Sequence, residues 1–82
     1  MKLQSLKNKL LKLNIKFTKY AFNELNKVLA FEINGHEVEA DYDEGVEKVH
    51  SYIMVTGYDE SSQEKIRYIT DSFNAVYNYA NR

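Results

Sequence analysis

Apolar residues at the start of the chain recur with helical spacing. Leu3, Leu6, Leu10 and Leu13 fall at i, i+3, i+7 and i+10, with Lys2, Ser5, Asn8, Lys9 and Lys12 on the remaining faces, which predicts an amphipathic helix over residues 2–13. Asn14 is suited to end it in the left-handed conformation. Ile15 and Phe17 then alternate with Lys16 and Thr18 as in a half-buried strand. The strongest turn signal is Asn34-Gly35, flanked by Val28-Leu29-Ala30-Phe31-Glu32-Ile33 and His36-Glu37-Val38-Glu39-Ala40-Asp41-Tyr42. An Asn-Gly pair fits both positive-φ positions of a type I′ turn, so this segment is read as a β-hairpin. On its second strand Val38, Ala40 and Tyr42 alternate with Glu37, Glu39 and Asp41, so one face goes to the core and the other is a row of carboxylates.

Residues 46–56 carry two patterns. Val46, Val49, Ile53 and Met54 suit a helix stopped by Gly57, whereas His50-Ser51-Tyr52-Ile53-Met54-Val55-Thr56 is dense in β-formers, and the strand is the favoured reading. Ser61-Ser62-Gln63-Glu64 has the form of a capping box. Ile66, Ile69, Phe73, Val76 and Ala80 beyond it make one apolar stripe, which predicts a helix over about 62–80. The expected fold is α+β, a two-layer domain over residues 1–82 with an N-terminal helix, an antiparallel sheet of three or four strands and a C-terminal helix. The open sheet face and the sheet edges are then available for dimerisation or for pairing with a partner strand.

Length adds a bound: 82 residues support one hydrophobic core and exclude a two-domain enzyme. With no cysteine there is no disulfide framework and no thiolate zinc site. Lysines interrupt the early leucines, so no signal peptide is expected, and no run of about 18 apolar residues is present to span a membrane. Lysine supplies nine of the eleven basic residues, and asparagine and tyrosine are abundant. Such usage is what AT-rich coding produces and points to a low-GC bacterium or its phages, with the bacterial cytoplasm as the expected location.

The formal charge of -1 conceals a segregation. Residues 1–31 carry +6, from seven lysines against Glu24; residues 32–64 carry -9, from ten acids against Lys48; residues 65–82 carry +2. The acidic and basic segments either neutralise each other within the domain or leave a negative face able to meet a basic surface on another protein.

Candidate chemistry is sparse. Asp41-Tyr42-Asp43-Glu44-Gly45 begins like a calcium loop, but the glycine comes one position early and Tyr52 stands where a bidentate glutamate is required. His36 and His50 lack zinc-ligand spacing, so no metal or other cofactor is expected. There is no nucleophile elbow and no phosphate-cradling glycine run, and exposed carboxylates on a small hairpin have no cleft to separate their pKa values. No enzymatic activity is expected. The N-terminal lysines can contact phosphates, and the order helix, strands, helix resembles the double-stranded-RNA-binding domain. However, Ser61-Ser62-Gln63-Glu64-Lys65 follows Asp59-Glu60 where that family has a lysine-rich start to its second helix, so its function is not carried over. A membrane-surface role for the first helix is disfavoured because the core needs its leucines. Of the seven tyrosines, Tyr68 and Tyr79 fall off the apolar stripe of the last helix and Tyr58 is read in the loop before it, at the rim of the core or on a contact surface.

The leading expectation is a non-catalytic interaction module, phage- or mobile-element-encoded. Glu37, Glu39, Asp41, Asp43, Glu44 and Tyr58 are its candidate contacts with a basic surface of a larger nucleic-acid-handling or defence protein, which it would inhibit. The alternative is a small nonspecific nucleic-acid-binding protein using Lys2, Lys9, Lys12, Lys16 and Lys19.

Overall fold

Leu3, Leu6 and Leu10 of the leucine stripe lie in helix α1 (Leu3–Lys12), whereas Leu13, expected as the fourth of the stripe, is the C-cap and 41% exposed. In the computed structural model, which describes residues 1–21, 26–58, 60 and 65–82, Leu3, Leu6 and Leu10 are buried and Leu11 and Lys12 exposed. Asn14 ends the helix with φ 63°. The Ile15 N–H donates to the Leu10 carbonyl at 2.8 Å and the Asn14 N–H to the Leu11 carbonyl at 3.1 Å, the paired bonds of a Schellman motif. The other end is stitched to the sheet, with Leu3 N–H donating to the Glu47 carbonyl and Val49 N–H to the Met1 carbonyl.

Five strands follow: β1 (Phe17–Ala21), β2 (Asn26–Ile33), β3 (His36–Asp43), β4 (Lys48–Tyr58) and β5 (Lys65–Thr70). They form one antiparallel sheet in chain order. Asn34 and Gly35 take φ of 51° and 83°, so both turn positions are left-handed as a type I′ hairpin requires. The register Ile33↔His36, Glu32↔Glu37, Phe31↔Val38 follows from that two-residue turn. Residues 48–58 are strand, as favoured: Tyr52 and Met54 point into the core, whereas Val46 is exposed in the preceding turn. A bulge at His50 restores the inward direction of Tyr52 after Val49.

The helix expected over 62–80 is corrected. Residues 65–70 are the edge strand β5, and helix α2 spans Phe73–Ala80; the capping-box residues 61–64 lie outside the described residues. Tyr68, Ile69 and Thr70 are β-branched or aromatic and lengthen the sheet along β4, which outweighs the four-residue spacing that joined Ile69 to Phe73. The cap belongs to Ser72, whose hydroxyl accepts from the Ala75 N–H at 3.2 Å. Ser72→Ala is expected to cost about 1 kcal/mol of unfolding free energy by urea titration.

Both helices cover one face of the sheet. Leu3, Leu6 and Leu10 of α1 and Phe73, Val76 and Ala80 of α2 share a core with Leu29, Phe31, Ile33, Val38, Ala40, Tyr42, Val49, Tyr52 and Met54. The chain is thus the expected two-layer α+β fold, with five strands rather than three or four. Phe73 packs edge-on to Tyr52 at 6.0 Å and against Tyr77 at 6.1 Å. Burial of the Tyr52 phenol pushes its pKa up to about 12. Among the described residues no helix is long and apolar enough to cross a membrane.

Candidate functional site

Because α1 and α2 pack on the same face, no helix among the described residues covers the other face of the sheet. Strand alternation sends Val38, Ala40 and Tyr42 to the core and Glu37, Glu39 and Asp41 to this open face. At about 3.3 Å per residue the three carboxylates run along roughly 13 Å of β3. Glu32 stands directly opposite Glu37 on β2 and extends the row sideways. On the β4 side, Ile53 pairs with Glu39 and with Ile69, so carboxylates and aliphatic side chains lie side by side. Ile69 is 62% exposed, a large apolar surface left in water.

Tyr20 on β1 donates its hydroxyl hydrogen to Glu39 Oε1 at 3.1 Å. Its pKa is raised, chiefly by desolvation and further by the Glu39 charge. Lys16, Thr18, Tyr20, Glu32, Glu37 and Glu39 line a shallow groove along this side of the sheet. A second groove brings His36 and Tyr58 to the same two glutamates, Glu32 and Glu37. Of the expected contacts, Glu37, Glu39, Asp41 and Tyr58 therefore share a surface. Asp43 is the last residue of β3 and Glu44 opens the turn after it, and both are engaged locally. Asp43 Oδ1 accepts from the Gly45 N–H at 2.8 Å, and Glu44 lies 3.6 Å from Lys27 Nζ.

That ion pair is the only one formed among the described residues, so Glu32, Glu37, Glu39 and Asp41 have no ion-pair partner there. Lys9 and Lys12 belong to α1 on the opposite layer, and Lys2 is its N-cap. The five lysines of the nucleic-acid alternative do not form one row. Lys9 Nζ reaches 5.3 Å from the Phe73 ring centroid on α2, Lys19 Nζ lies 5.9 Å from that of Tyr42, and Lys16 borders the acidic groove. Desolvation and the neighbouring Lys19 charge lower the pKa of Lys7. Among the described residues, Lys9 and Lys12 thus lie on the helix layer and Glu32, Glu37, Glu39 and Asp41 on the other face of the sheet, with Lys16 lining the groove beside the glutamates.

Two consequences can be measured. Like charges directly opposite on paired strands destabilise a sheet, so Glu37→Gln is expected to raise the unfolding free energy by about 0.2–1 kcal/mol. Asp41 is half-buried, and its pKa is raised above the ordinary 3.8 first by desolvation and then by Glu39, against a smaller opposing effect of His50. An acid with a raised folded-state pKa binds its proton more tightly folded than unfolded. Its contribution therefore favours the fold below that window and is lost as pH rises from 3.8 through the raised value. Asp41→Asn is expected to flatten that part of the stability profile in urea titrations across acid pH.

Glu32, Tyr20, Ile53 and Ile69 were not among the sequence candidates. Glu32 was legible, because a two-residue Asn34-Gly35 turn places it opposite Glu37. Tyr20 and Ile69 were not, since their positions depend on the pairing of β1 and β5. Among the described residues no cluster of three or more His, Asp or Glu is arranged to hold a metal ion. Comparison of the chain with protein-family models, with curated proteins and with solved structures finds no match.

Proposed function

We propose that this chain is a non-catalytic interaction module whose open sheet face docks on a basic surface of a larger protein. The observation that carries the reading is the in-register carboxylate group of Glu32, Glu37, Glu39 and Asp41, with no ion-pair partner among the described residues and an exposed aliphatic flank beside it. Such a group lowers stability, and local departures of this kind are characteristic of functional surfaces. A basic partner relieves the repulsion on binding, and Ile53 and Ile69 supply apolar area to be buried beside the charges. Tyr58 and Tyr20 flank the row and add area at low entropic cost. Nucleic-acid-handling and defence proteins present basic grooves of this character, and a small phage- or mobile-element-encoded inhibitor acting in a bacterial cytoplasm fits the lysine-rich, cysteine-free composition.

The test is affinity capture. The immobilised protein, incubated with nuclease-treated bacterial lysate, is expected to retain a small set of basic proteins that are released by about 0.5 M salt, where screening is strong. Retention of nucleic acid from untreated lysate, with no protein held after nuclease treatment, would contradict the proposal.

A further inference from the structure

The side of the molecule opposite the acidic face has its own exposed surface. Lys2 at the N-cap of α1 and Lys12 in its last turn are exposed, and at the C-terminal end, next to Lys12, Leu11 is 64% and the C-cap Leu13 41% exposed. A helix with exposed lysines at both ends and uncovered leucines at its C-terminal end is the chemical complement of a sheet face with carboxylates and an exposed isoleucine. We infer that the acidic sheet face of one copy receives the basic outer side of α1 from a second copy, so that the chain associates head to tail with itself.

The inference rests on the proposed function insofar as it uses the same face. It adds regulation: self-association covers the carboxylate row, and an outside basic partner must displace α1 of the neighbouring copy. Two different surfaces of each copy meet, so the contact is heterologous and does not close at two copies; it gives short chains or a ring whose length grows with concentration. The contact is built from exposed charges, so it weakens with salt. Edge pairing of β1 or β5 would instead depend on backbone hydrogen bonds and respond little to salt.

Sedimentation equilibrium across protein concentration tests this at low salt and at about 0.5 M salt, where the Debye length is only a few ångströms. Low salt is expected to give a weight-average mass that rises with concentration above the 9.6 kDa of one chain, and high salt to return it to one chain. The double variants K2E/K12E and E37K/E39K should each remain monomeric while keeping the circular dichroism of the unmodified protein. Mixing the two should restore association, because each then offers the other a complementary face. A single-chain mass at every concentration in low salt overturns the inference, as does association that survives either reversal, or a mixture that stays monomeric. The two readings fail separately: a chain that stays monomeric yet binds a lysine-rich peptide loses only the self-association, whereas one that does neither loses both.

Discussion

Leu6→Ala is expected to destabilise the protein by about 2–5 kcal/mol, the range for truncating a fully buried leucine. Leu6 has no exposed surface and sits between Leu3 and Leu10 as the middle of the three residues that seal α1 onto the sheet. A cavity at that position removes both the transferred methyl groups and the contacts of the atoms lining it. Domains of this size have only about 5–15 kcal/mol in total, so a loss of about 3 kcal/mol should lower the thermal midpoint by roughly 12–24 °C. Leu11→Ala is the internal control. Leu11 occupies the next position on the same helix, is 64% exposed, and should change stability by no more than about 0.5 kcal/mol. Equal losses at both positions would mean that the helix is not docked through the face described.

The triple charge reversal E37K/E39K/D41K is expected to weaken binding to a lysine-rich peptide on the order of 100-fold at low salt. Each exposed charge pair lost costs about 0.2–1 kcal/mol, and each reversal adds a repulsion of similar size. The fold should survive. Glu37→Lys turns the like-charge juxtaposition with Glu32 into an attractive one, while Glu39→Lys removes the acceptor of the Tyr20 hydroxyl. The net change in unfolding free energy is therefore expected to stay within about 1 kcal/mol per substitution. Undiminished affinity in a folded triple variant would show that the carboxylates are only solvated surface. The same three substitutions should abolish retention of basic proteins from lysate.

The parts of the fold that the sequence dictates locally were legible in it. The period of Leu3, Leu6 and Leu10, the left-handed Asn14 and the Asn34-Gly35 turn each act over a few residues, and each appears in the structure as expected. Residues 65–70 were misread because Ile66, Ile69 and Phe73 share a spacing that suits a helix, while the pairing that makes 65–70 a strand comes from β4. No local rule records that β4 is 11 residues long and offers an edge to a further strand. The carboxylate row itself was readable from alternation along β3. Its separation from the lysines of α1 was not, since net charge by segment does not say which side of a sheet a helix will cover. Tertiary packing decides that, and here it sends the lysines of α1 and the glutamates of β3 to opposite sides. The exposed Ile69, flanking the carboxylates through Ile53, likewise emerges only once β5 is recognised as a strand.

The central claim is that the open face, and not the lysine-bearing helix layer, is where the protein meets its partner. An amide NMR titration with a lysine-rich peptide, at a protein concentration where the chain is monomeric, tests it most directly. The account predicts shifts concentrated at Glu32, Glu37, Glu39 and Asp41, spreading to Ile53 and Ile69, with the amides of α1 unmoved. Shifts confined to α1 and α2, or an unperturbed β3 at saturating peptide, would contradict it.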